Sequence, residues 1–271
     1  MKRLLTLLAA CIAACAATAQ SRIETFTFRS ALARRRKKTC SVYLPAGYDD
    51  SGRSYPVLYL LHGASGYHGD WAEKGNMRQI ADEAIAAGTA LPMIVVMPDA
   101  SGTGENYTGD RMGYFDVPGW PYERFFFEEF VPAVERRYRI CGDKARRAIS
   151  GLSMGGGGTA VYALRHPELF GSACPMSGLL EAYGDPGENA FRRSVAENNP
   201  VQMVRDLSDA EAAAQRTVRW WVDCGDDDFL ALANIHFYEA MRLCDIPLQY
   251  RMRDGGHTWR YWQTALHDIL A

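Results

Sequence analysis

One stretch constrains the fold more than any other: Ile149-Ser150-Gly151-Leu152-Ser153-Met154-Gly155-Gly156-Gly157-Gly158. A strand candidate, Arg147-Ala148-Ile149, leads into it, and residues 159–165 leave it with helical spacing. The chain is therefore expected to pass from strand through a sharp turn into helix, with Gly151 and Gly155 relieving crowding around an exposed Ser153 hydroxyl. Ser153 is the candidate nucleophile. The alternative is a glycine-rich turn with an incidental serine, because three fixed positions in five recur by chance, and only context separates the two.

An alkoxide nucleophile needs a base, and the base needs a third group to orient it; behind such an elbow the chain order is Ser, then Asp or Glu, then His. Two later strand candidates end in polar clusters. Val218-Arg219-Trp220-Trp221-Val222 runs into Asp223-Cys224-Gly225-Asp226-Asp227-Asp228, and Leu248-Gln249-Tyr250-Arg251-Met252 runs into Asp254-Gly255-Gly256-His257. Both clusters would emerge at strand carboxyl ends, where open α/β sheets place their ligands. His257 is the candidate base, since His68, His166, His236 and His267 sit in a polar loop or on helical segments. His62 precedes Ser153 and is expected to be a satisfied strand-end histidine.

Earlier in the chain, residues 39–44 alternate as a strand, Val57-Leu58-Tyr59-Leu60-Leu61 is a continuous apolar run of the buried parallel kind, and Met93 to Met97 is another. The first of these buried runs ends in His62-Gly63-Ala64-Ser65-Gly66. A developing oxyanion needs two preorganised donors, and the Met154 and Ala64 amides are the candidates. Residues 77–87 read as a helix. Phe126, Phe130, Val134 and Tyr138 mark a second that ends near Arg139, with a kink expected at Pro132. A weaker strand at 173–176 precedes a polar segment, 181–199, that resembles an insertion over the site. The alternation of strands and helices argues for an α/β-hydrolase fold: a mostly parallel central sheet with helices on both faces.

Residues 1–19 carry Lys2 and Arg3, an apolar run and Ala17-Thr18-Ala19, the form of a signal peptide too short to span a membrane. Export to the periplasm or the medium is expected, with no integral membrane segment after processing. Leu8-Ala9-Ala10-Cys11 and Ile12-Ala13-Ala14-Cys15 also have lipoprotein-box form, so a lipid anchor on Cys11 or Cys15 is the competing outcome. Residues 20–271 are expected to form one α/β domain. Loss of two positive charges takes the net charge from −2 to −4, which gives no reason to expect nucleic acid. Cys40, Cys141, Cys174, Cys224 and Cys244 lack metal-type spacing, and their pairing is not readable from the sequence. The positive run Arg34-Arg35-Arg36-Lys37-Lys38 reads as a solvated hairpin or a charge-protected edge strand.

Read together, Leu60-Leu61-His62-Gly63, Asp70-Trp71, Gly151-Leu152-Ser153-Met154-Gly155-Gly156, Cys224-Gly225 with Asp228-Phe229-Leu230, and Gly256-His257 with Trp259 and Trp262 resemble the esterase D and putative esterase family. That group includes tributyrin esterases, S-formylglutathione hydrolases and the feruloyl and acetylxylan esterases of carbohydrate esterase family 1. The resemblance covers nearly the whole chain after residue 43. It implies that the acid is the third of the consecutive aspartates, Asp228, a choice that physical argument alone leaves open. Asp226 and Asp227 could instead serve a helix amino terminus, and a calcium loop is disfavoured because its ligands are normally spaced.

The expected function is that of an exported serine carboxylic-ester hydrolase needing no cofactor and no metal, acting on acyl groups carried by plant polysaccharide or its fragments. Expected export argues against the cytosolic formylglutathione branch. A short-chain tributyrin-type esterase, an acyltransferase of the mycolyltransferase type and a glycan-binding surface lipoprotein are the alternatives. Trp120 and Tyr122, held in stiff chain by Pro118-Gly119 and Pro121, are expected to wall the cleft for an aromatic acyl group or a sugar ring.

Overall fold

The structure, a computed structural model, describes residues 20–33, 36–101, 113–182 and 184–271. Residues 1–19 with Cys11 and Cys15, Arg34 and Arg35, and most of the loop before Trp120 lie outside them. Eight strands form one sheet: β1 Arg22–Arg29, β2 Lys37–Leu44, β3 Val57–Leu61, β4 Ile94–Pro98, β5 Arg147–Leu152, β6 Ser172–Met176, β7 Arg219–Gly225 and β8 Leu248–Arg253. Their spatial order is β1-β2-β4-β3-β5-β6-β7-β8. β1 and β2 form an antiparallel hairpin and β2 joins β4 antiparallel; every later pairing is parallel.

The strands obey a period of two. Val57, Tyr59 and Leu61 of β3 and Ile94 and Val96 of β4 face one core, while Leu58, Leu60, Val95 and Met97 face another. Burial on both faces is why these strands read as unbroken apolar runs. The first core is covered by helix α2 (Met154–Arg165), by α3 (Ala231–Leu243) and by the aromatic helix before Arg139; the second is covered by α1 (Met77–Ala86) and α4 (Trp259–Leu270). Among the described residues no helix is long and apolar enough to cross a membrane.

Three local expectations change. The aromatic helix starts at Tyr122, and the expected kink is a π-helical turn, Phe126–Phe130, followed by α-helix Val131–Arg137. The wide turn leaves Pro132 in the first turn of the next α segment, where a missing N–H is tolerated. The polar segment 181–199 is partly helical: Asn189 caps Ala190–Glu197, which packs against the short strand Asp116–Val117. Of the run of positive charge, Arg36 and Lys37 are exposed, whereas Lys38 is half-buried. Its Nζ lies 4.1 Å from the Trp120 ring centroid, and burial lowers its pKa to about 8.

Candidate active site

Ser153 joins β5 to α2 with φ 58° and ψ −119°, a conformation that costs a non-glycine residue about 1–3 kcal/mol and persists only when its surroundings impose it. They do so through the backbone. The Ser153 N–H donates to Met176 O at 3.0 Å, and its carbonyl accepts from Gly157 N at 3.1 Å and Leu179 N at 2.9 Å. The flanking glycines are required by close approach: a Cβ at Gly155 would lie 2.6 Å from His62 O, and one at Gly151 2.7 Å from Gly155 O. Side chains there would push α2 away from the end of β3.

Asp228 follows β7, His257 follows β8, and the structure brings them together. His257 Nδ1 lies 2.8 Å from Asp228 Oδ2 and 3.0 Å from Oδ1. A carboxylate only accepts, so Nδ1 carries the proton in this contact and Nε2 is left as the basic nitrogen. Burial alone would raise the Asp228 pKa, but hydrogen bonds from His257, the Leu230 amide at 2.9 Å and the Ser177 hydroxyl outweigh it and hold the carboxyl below its ordinary value. Two rings flank the imidazole, Phe229 with centroids 4.5 Å apart and Trp262 at 4.8 Å and 89°. Asp226 and Asp227 are exposed. Asp226 Oδ1 accepts from Gly255 N at 3.0 Å, lashing the two loops together, and Asp226, Asp227 and Asp254 lie within 4.8 Å of one another.

Ser153 and Trp262, the ring beside His257, touch the same piece of chain. Between Met176 and Leu179, which hold the Ser153 backbone, sits Ser177, buried, whose hydroxyl accepts from Trp262 Nε1 at 3.0 Å. Asn234 of α3 fixes the next residue, accepting from Gly178 N at 3.1 Å and donating to its carbonyl at 3.0 Å. Sequence reasoning singled out neither residue; a serine at a strand end and an asparagine inside a helix carry no motif.

Met154 opens α2, so its N–H has no acceptor within the helix. Ala64 lies in an exposed turn closed by Gly66 N to Gly63 O at 3.2 Å. Gly63 itself sits so close to the nucleophile that a Cβ there would be 3.5 Å from Ser153 Cβ. His62 is buried and pinned at both nitrogens: Nε2 accepts from Ala100 N at 2.9 Å and Nδ1 donates to Gly63 O at 2.8 Å. Burial lowers its pKa, so it stays neutral and steadies the turn that carries Ala64.

The expected wall is not built as expected. Tyr122 is only 2% exposed and packs edge-on against Tyr114, so it belongs to the core. Trp120 is half-buried, stacks on Tyr122 at 5.5 Å and donates from Nε1 to Gly113 O at 2.9 Å. Proline and glycine stiffen this stretch, as read from the sequence, but the stiffness turns the Tyr122 ring inward. Among the described residues Phe229 is an exposed ring at the site, 74% exposed beside His257.

A family model described as Putative esterase matches residues 31–271. An endo-1,4-beta-xylanase/feruloyl esterase of Xylanibacter ruminicola is 36% identical over 156 residues, 55% of this chain and 21% of its own length. An esterase of Mycobacterium tuberculosis is 27% identical over 249 residues, 81% of this chain and 52% of its own length. The chain thus spans about a fifth of the first curated relative and about half of the second. Among solved structures, a ferulic acid esterase is 44% identical with a TM-score of 0.87, over 93% of this chain and 96% of that one.

Proposed function

The chain belongs to the Putative esterase family, and from that premise we propose that it is an exported serine carboxylic-ester hydrolase that removes feruloyl or acetyl groups from plant polysaccharide or oligosaccharides. Ser153 attacks the ester carbonyl while His257 Nε2 takes its proton, and Asp228 holds the imidazole in the required tautomer. The Ala64 and Met154 amides stabilise the tetrahedral oxyanion. His257 then protonates the departing alcohol and activates water to release the acid. The observation that carries the mechanism is the 2.8 Å contact between His257 Nδ1 and a buried Asp228. Identity of 44% with a ferulic acid esterase, over almost all of both chains, supports the acyl group. Export rests on the form of residues 1–19.

The test is a screen of purified protein on feruloylated arabinoxylan, acetylated xylan and nitrophenyl acetate, alongside Ser153→Ala. The variant is expected to lose at least about 10⁴ in kcat, as loss of a triad nucleophile does elsewhere, with its unfolding midpoint little changed. Substantial turnover by the variant would overturn the nucleophile. Turnover of nitrophenyl acetate alone would overturn the polysaccharide substrate.

A further inference from the structure

We propose that Phe229 is the platform for the alcohol side of the ester, a ring on which a neutral sugar stacks while His257 releases it. This inference deepens the functional reading above and rests on the triad assigned there.

The chemistry fixes which half of the ester meets this ring. In the tetrahedral adduct the reacting carbon carries Ser153 Oγ, the oxyanion, the acyl chain and the alcohol oxygen. As the adduct collapses, the bond from carbon to the alcohol oxygen breaks and its electron pair stays on that oxygen. The proton that His257 Nε2 took from Ser153 then passes to it. The alcohol must therefore lie within hydrogen-bond reach of His257, whereas nothing requires this of the acyl chain. Of the two rings beside the imidazole, Trp262 is buried, with its N–H spent on Ser177. Phe229, at 4.5 Å between centroids, stands open to a ligand.

The exposure is enforced by the chain. Phe229 lies between two buried residues, Asp228 and Leu230. Their turn is tied by Leu230 N to Asp228 Oδ1 at 2.9 Å, Ala231 N to Asp228 O at 2.8 Å and Asn234 N to Leu230 O at 3.1 Å. Holding the acid inward against His257 thus turns the next side chain outward, and the ring forgoes the stabilisation that burial gives. An open phenyl face suits a ligand with one apolar side and a hydroxylated edge. A sugar ring has both: its C–H groups meet the negative π face, and its hydroxyls reach water or the exposed carboxylates of Asp226 and Asp227 in the same turn, which only accept. Those carboxylates also repel an anionic alcohol. Leu232 and Ile235, both exposed, follow Phe229 at three-residue spacing into α3 and extend the apolar track away from His257.

The experiment compares three esters of one acid on the full chain: methyl ferulate, octyl ferulate and a feruloylated arabinoxylan oligosaccharide. Phe229→Ala should raise KM for the oligosaccharide about tenfold, the worth of a lost ring contact, with kcat within about twofold. The same change should alter kcat/KM for methyl and octyl ferulate by less than about twofold. Phe229→Tyr should keep the wild-type values. So should Leu243→Ala, which removes an equally exposed side chain at the other end of α3, about 18 Å along its axis. Equal losses on methyl ferulate and the oligosaccharide would make Phe229 a support for His257 and overturn the proposal. A loss shared by octyl ferulate would make the ring a general apolar surface and overturn it as well. Binding of the unesterified oligosaccharide, followed by saturation-transfer NMR, needs no turnover, and its Kd should weaken about tenfold in Phe229→Ala. If the wild-type chain hydrolyses no ester, the functional reading fails while the binding comparison still decides the platform; an unchanged Kd would overturn this inference alone.

Discussion

Asp226, Asp227 and Asp228 share one chemistry and one turn, and burial separates them. Asp228 lies under Phe229 and Leu230 against His257, whereas the other two face water. Asp228→Asn should therefore reduce kcat by about 10³ to 10⁴, because the amide can donate to Nδ1 and leave the imidazole in the wrong tautomer. Asp226→Asn should cost less than about threefold, since the amide oxygen still accepts the Gly255 N–H. Steady-state kinetics on the purified variants decide this, and a large loss at Asp226 would reassign the acid. Three identical side chains in a row look alike in a sequence, so there the choice came from family resemblance. Ser153 and His257 were legible because glycine brackets one and follows a strand into the other. The place of Ser177 was not, since the hydrogen bond it accepts comes from an indole 85 positions away.

At the scale of elements, the buried strands were the most legible, because burial on both faces writes a continuous apolar run into the sequence. β1 was missed, although Phe26 and Phe28 alternate with Thr25 and Thr27 along it. The short stretch Trp120-Pro121-Tyr122 misled, because stiffness says that a ring is held and not which way it points. Tyr122 packs in the first core with a hydroxyl that has no partner there. Tyr122→Phe should then stabilise by about 1 kcal/mol, raising Tm by about 2–4 °C in calorimetry, while kcat stays within twofold. A fall in Tm would mean that the hydroxyl has a partner. Lys38 on β2 offers a test in pH. Its pKa is lowered to about 8, so the folded chain gives up this proton more readily than the unfolded one. Carrying the charge opposes folding in full below about pH 8, and the penalty fades as pH rises toward the ordinary lysine value near 10.5. Lys38→Met should gain Tm at pH 7 and lose most of that advantage by pH 10. An advantage that persists at pH 10 would assign the penalty to packing.

Across the whole molecule the candidate site is spread over the carboxyl ends of β3, β5, β6, β7 and β8, which lie side by side in the sheet, while β4 contributes the amide that steadies His62. This is why chain order and strand order could be read together: residues 62–64, 153, 177, 228 and 257 are far apart in sequence but neighbours across one sheet. The reading of residues 1–19 as a leader is tested on the full chain as well. Mass spectrometry of protein made with its leader in a bacterial host is expected to find Gln20 at the amino terminus; an acylated Cys11 or Cys15 in the membrane fraction would replace that outcome with a lipid anchor. The five cysteines of the described residues carry no disulfide. Burial also pushes the Cys40 and Cys224 thiols up to about 12, far from the reactive thiolate. It follows that no bond between these five thiols holds the described fold together. The unfolding midpoint of the described domain is therefore expected to be the same with and without a thiol reductant, as calorimetry would show.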